Sequence, residues 1–78
     1  MPHEPPPEWV LTHRRAIGDH IRDARLYANL TQERLGERCG IDRQTINRIE
    51  LGHVSTRIDT LIRIADAIGV PLADLVRE

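Results

Sequence analysis

Between Thr31 and Gly52 the chain leaves almost no slack. Thr31 is a good helix N-cap, because its hydroxyl accepts a bond from a free amide of the first turn. QERLGERC runs from it to Gly40, a residue at ease in the left-handed conformation that closes a helix. Asp42 is a second N-cap, and RQTINRIEL (43–51) runs from it to Gly52. Only Cys39–Asp42 join the two segments, a tight turn containing glycine. Few arrangements satisfy that spacing: two short helices, the second crossing the first steeply.

The surroundings of this helix-turn-helix are also helical. The prolines of residues 1–7 predict a flexible, polyproline-like tail, with Pro7 suited to the first position of a helix. Trp9, Val10, His13, Ile17, Ile21, Ala24 and Ala28 then fall on one stripe at helical spacing, which predicts a first helix from about 8 to 28. A start at Thr12, with Trp9 loose, is the alternative. Asn29 can take the left-handed conformation that ends it. After a 53–57 loop, Ile58, Leu61, Ile62, Ile64, Ala65 and Ile68 lie inward or flanking on a fourth helix that stops at Gly69. A last short helix from about Leu72 has Leu72, Leu75 and Val76 to bury. No strand pattern and no internal repeat is present. The expected fold is all-α, five helices, with residues 8–78 forming one domain.

Composition agrees and narrows the function. At 78 residues the chain makes one small domain. It has no Phe, and Trp9 and Tyr27 are its sole aromatics, so the core must be Ile, Leu, Val and Ala, which favours packed helices. Cys39, the one cysteine, excludes an internal disulfide or a multi-cysteine zinc site and fits a reducing compartment. No apolar run approaches the ~20 residues of a membrane helix, and prolines stand where a signal peptide would be apolar. A soluble cytoplasmic protein is expected. An enzyme is not: Ser55 is the sole serine, and His53 beside it lacks an orienting group and a pocket. His3, His13, His20 and His53 lack zinc-ligand spacing, and no cofactor is expected.

The third helix carries the chemistry. At about 100° per residue, Ile46 and Ile49 lie ~60° apart and mark its buried side. Gln44, Asn47, Arg48 and Leu51 cluster opposite, with Arg43 at the helix start. Arginine, glutamine and asparagine present paired hydrogen-bonding groups in a plane. The major groove of B-DNA admits one helix, and its base edges suit them: Arg bonds guanine O6 and N7, Gln or Asn bonds adenine N6 and N7. An ordinary solvated helix face has the same look and is the commoner case for such a ridge alone; the short helix and tight turn before it bring the two readings nearly level. Charge is no help, since the formal net charge is −1 and all eleven basic residues are Arg. Residues 31–57 carry five arginines against four carboxylates, and residues 58–78 two against four. That is a weak polarity rather than a basic patch.

LTQERLGERCGIDRQTINRIELG followed by TLIRIADAIGV resembles the lambda-repressor-like helix-turn-helix family, the Xre or Cro type. Its markers are Leu30-Thr31-Gln32, Gly40-Ile41, Ile49-Glu50 with Gly52, and Ile64-Ala65 through Gly69-Val70, and the likeness covers roughly residues 16–76. The resemblance implies that the third helix enters the major groove and that dimers bind half-sites about one DNA turn apart. It implies base contacts for Arg43, Gln44, Asn47 and Arg48. It implies phosphate contacts for Thr31 and Gln32 at the start of helix two, and for Ser55 and Arg57 in the loop. Arg25 and Glu50 match a partly buried ion pair tying helix one to helix three. Three features depart from the family pattern. Cys39 replaces a usual Ala and reads as a small buried residue. Arg57 stands where a small cap is common, leaving the start of helix four open. The Trp9 extension lies outside the family core; it lengthens helix one and covers the core, or else docks on a partner.

The function expected is a sequence-specific regulator of transcription, a homodimer on a palindromic duplex-DNA operator. The alternative is a protein-interaction module of the same fold, such as an antitoxin or a regulator antagonist, which the low net charge favours. Leu51, Leu72, Leu75, Val76 and Trp9 are the apolar residues it would use, although Leu72 and Leu75 serve better to close the core.

Overall fold

Among the described residues, five helices form where caps and apolar spacing put them: α1 (Glu8–Tyr27), α2 (Gln32–Cys39), α3 (Arg43–Glu50), α4 (Ile58–Ile68) and α5 (Leu72–Val76). The structure, a computed structural model, describes residues 4–78, so Met1–His3, including part of the expected tail and His3, lie outside the described residues. Pro7 sits just before α1 rather than inside it, and its carbonyl accepts from the amides of Val10 and Leu11. Asn29, at φ 59°, ends the helix by turning the chain left-handed. Thr31 Oγ1 accepts from the Arg34 amide at 3.0 Å, and Asp42 Oδ1 from the Thr45 amide at 2.9 Å. Arg57 occupies the N-cap of α4 without a side-chain cap bond, and its carbonyl accepts the first bond of the helix, from the Leu61 amide at 3.1 Å.

One residue from each helix is fully buried: Ile21, Leu35, Ile46, Ile64 and Leu75. Leu30, Cys39, Ile49, Leu61, Ala65 and Ile68 complete the core around them. Burying each large aliphatic contributes about 1.5–3 kcal/mol, which is how a chain without Phe holds together. α1 is the strut of the assembly and packs on α3, α4 and α5, whereas α2 rests on α3 and α4. Where α1 crosses α3, Gly18 lets the backbones touch. A Cβ there would overlap the Glu50 carbonyl oxygen and stand 2.7 Å from that of Ile49.

Several apolar residues of the expected helical stripes are not buried. Trp9 does lengthen α1, but it covers no core: it is 68% exposed and meets the His13 ring edge-on at 6.2 Å. Ala28 is exposed as well. On α4, Ile58 (68% exposed) and Ile62 (48%) form an i,i+4 row, with Ile62 about 100° round the helix from Leu61. Val76 is exposed next to the buried Leu75 for the same reason. The periodicity identifies an apolar helix correctly but not how wide a stripe its neighbours can cover.

Candidate nucleic-acid interface

The outer face of α3 is polar and rigidly mounted. Ile46 and Ile49 are buried, while Arg43, Gln44, Asn47 and Arg48 are all exposed on the far side. Leu51, at the C-cap, is half exposed beside them. Among the described residues, neither Arg43 nor Arg48 enters an ion pair, in contrast to the exposed Arg34–Glu37 and Arg15–Glu8 pairs at 3.1 and 3.0 Å. Between α2 and α3 an open groove of about 440 Å³ is lined by Gln32, Arg43, Gln44 and Asn47.

The mounting depends on the tight turn. Gly36, buried in α2, lies against the Ile41 carbonyl, so the turn folds directly onto the helix before it. Gly40 closes α2 at φ 72°, and the Ile41 amide donates back to the Gly36 carbonyl at 2.9 Å. Asp42 then starts α3. Its carboxylate accepts from both the amide and the hydroxyl of Thr45, and those bonds hold its pKa below the ordinary value. Behind the turn, Cys39 is buried with Sγ donating to the Leu35 carbonyl, and burial pushes its thiol pKa up. This is the setting of an inert core cysteine.

Arg25 and Glu50 meet at the crossing of α1 and α3. Arg25 Nε donates to Glu50 Oε2 at 2.7 Å and Nη2 to Oε1 at 2.9 Å, while Nη1 donates to the Leu30 carbonyl at 2.9 Å. Both residues are buried, and the bonds to Glu50 raise the arginine pKa against the opposing effect of burial. Glu50 is therefore a neutralised strut at the foot of α3 and not a free negative charge on its outer face.

The remaining site residues divide into free and engaged. Thr31 spends its oxygen on the α2 cap. Ser55 and Arg57 are exposed in the 53–57 loop, which Val54 anchors against the core. Gln32 is engaged: its side-chain nitrogen donates to Asn47 Oδ1 at 3.1 Å and to Glu50 Oε1 at 3.2 Å. Sequence reasoning missed this link. Its one trace is the i,i+3 placement of Asn47 and Glu50 on α3, which says nothing about α2.

The model of the helix-turn-helix family matches residues 21–75, which include α2, the turn and α3. The chain belongs to the helix-turn-helix family. It is 34% identical over 58 residues to the cryptic phage CTXphi transcriptional repressor RstR of Vibrio cholerae, a match over 74% of this chain and 52% of that one. The chain thus spans about half the length of that relative. It is also 34% identical over 64 residues to control protein C.BamHI of Bacillus amyloliquefaciens, covering 81% of this chain and 79% of the other. The restriction-modification controller protein C.AhdI from Aeromonas hydrophila has the same fold, with a TM-score of 0.81 at 23% identity over 83% of this chain and 94% of that one. Among the described residues of this helix-turn-helix protein, no three His, Cys, Asp or Glu side chains group to hold a metal ion, and no helix is long and apolar enough to cross a membrane.

Proposed function

We propose that this helix-turn-helix protein is a sequence-specific, duplex-DNA-binding regulator of transcription, acting in the cytoplasm as a homodimer on a palindromic operator. The observation that carries the proposal is α3 itself. Two buried isoleucines pin it, and four planar or forked polar side chains, Arg43, Gln44, Asn47 and Arg48, project from its free face. Those four read base edges in the major groove. Thr31 and the backbone amide of Gln32, at the positive end of α2, meet a phosphate, and Ser55 and Arg57 meet another from the loop. Residues 8–78 act as the one DNA-binding domain. A repressor and a control protein among its relatives support regulation as its task. The exposed row of Ile58 and Ile62 on α4 is the apolar surface available to a second copy.

That same row also favours a second reading, an interaction module that uses Ile58, Ile62, Leu51 and Trp9 to bind another protein. Selection of bound duplexes from a random pool at physiological salt separates the two. Recovery of a palindrome with half-sites about 10 base pairs apart is the expected result. Absence of enrichment from protein shown to be folded overturns DNA recognition and leaves the interaction module.

A further inference from the structure

A chain of hydrogen bonds runs from the buried ion pair to the surface of α3. Glu50 Oε1 accepts from Arg25 Nη2 at 2.9 Å and from Gln32 Nε2 at 3.2 Å. The other hydrogen of Gln32 Nε2 goes to Asn47 Oδ1 at 3.1 Å. Each orientation in this chain dictates the next. A carboxylate accepts and does not donate, so turning the Gln32 oxygen toward Glu50 would set two acceptors against each other. With the Gln32 nitrogen held there, turning the Asn47 nitrogen toward Gln32 would set two donors together. The start of the chain is fixed, because Glu50 is 4% exposed and gripped by two bonds from Arg25. Asn47 is consequently held with its oxygen turned aside to α2 and its nitrogen free.

We infer that Gln32 is a positioning residue for base specificity, locking the Asn47 amide so that α3 offers a donor to the base Asn47 meets. The inference rests on the DNA-binding reading above. An asparagine free to turn pairs with adenine through both of its groups, N–H to N7 and oxygen to N6. In this protein the oxygen is committed sideways. The donor that leads is accepted by guanine at N7 and O6, by thymine at O4 and, through a single bond, by adenine at N7, and it disfavours cytosine, whose N4 is a donor. Specificity at that base pair is then set in part by residues that never touch it: Arg25 holds Glu50, Glu50 holds Gln32, and Gln32 holds Asn47.

The test compares wild type, Asn47→Ala and Gln32→Met in selection from a random duplex pool, with folding checked by circular dichroism. Asn47→Ala identifies the base position by losing preference there. At that position wild type should favour guanine or thymine over cytosine by about tenfold. Gln32→Met should shrink that ratio toward one while preferences elsewhere stay. An unchanged ratio in Gln32→Met overturns the inference, and so does a uniform loss over all sequences, which marks a phosphate contact. Absence of enrichment by folded wild type overturns the DNA-binding reading and this inference with it, an outcome distinct from either of those. Should Gln32→Met fail to fold, side-chain amide exchange in free ¹⁵N-labelled wild type decides the matter. Slow exchange at Gln32 with fast exchange at Asn47 supports the lock, and equally fast exchange at both overturns it.

Discussion

Replacing Gly18 with alanine pits two effects of opposite sign against each other. In an exposed helix interior, Gly→Ala stabilises by about 0.8–1.0 kcal/mol through backbone entropy and propensity. Gly18 lies within α1 but faces the end of α3, where a new Cβ overlaps the Glu50 carbonyl oxygen and stands 2.8 Å from its carbonyl carbon. Ordinary carbon contacts are about 3.5–4.0 Å, so the helices must part by roughly 1 Å. The obstructing atoms are backbone and cannot rotate away as a flexible side chain would. Overpacking of this kind costs typically about 1–3 kcal/mol, and a backbone obstruction belongs at or beyond the upper end. The net expectation is a loss of about 2 kcal/mol, or roughly 8–16 °C in melting temperature for a domain of this size. Thermal unfolding followed by circular dichroism, repeated in urea, measures it. A melting temperature equal to or above that of wild type would refute the reasoning, because it would mean that the α1–α3 crossing relaxes at no cost.

Four more outcomes are expected. Arg25→Met strands the buried Glu50 and should cost about 3–5 kcal/mol, most of which Arg25→Met with Glu50→Leu recovers; a double variant no better than the single one in urea titration contradicts the pairing. The native bonds that lower the Asp42 pKa give stability that is complete above the ordinary carboxylate pKa and is lost as the pH falls through the lowered native value. The urea midpoints of wild type and Asp42→Ala should therefore differ at neutral pH and converge below about pH 4. Cys39, buried and with its thiol pKa raised, should resist iodoacetamide in the native protein and react only in denaturant; rapid native labelling counters that assignment. Arg48→Ala should cost about 1–3 kcal/mol at a selected operator and relax preference at one base pair, whereas an equal loss on all duplexes makes Arg48 a phosphate contact.

Local chemistry made most of the fold legible. Thr31, Asp42, Gly40 and Asn29 act within a few residues of themselves, so their types announce where helices begin and end. Ile46 and Ile49 marked the buried side of α3 because helical phase is local too. What was illegible depends on neighbours distant in sequence. Trp9 continues the apolar phase of α1, yet its neighbours leave it mostly in solvent, with the edge-on His13 ring beside it. Ile58 and Ile62 are apolar and periodic, but whether a flanking row is covered depends on the angle at which α4 is packed. The bond from Gln32 to Asn47 spans fifteen residues and two helices, so it exists only once the crossing of α2 and α3 is set.

The position of α5 against α1 has a consequence for synthesis on the ribosome. His20 Nδ1 lies 3.0 Å from the Leu75 carbonyl, and Leu75 is fully buried, so α1 acquires one of its packing partners only from residues 72–76. A nascent chain that has exposed α1 through α4 still lacks the side chain that fills the core from α5. The side of α1 that packs on α5 stays uncovered until that segment clears the exit tunnel. A stall short of that point leaves the α5-facing side of the core open to solvent, the kind of exposed apolar surface that chaperones and proteases act on.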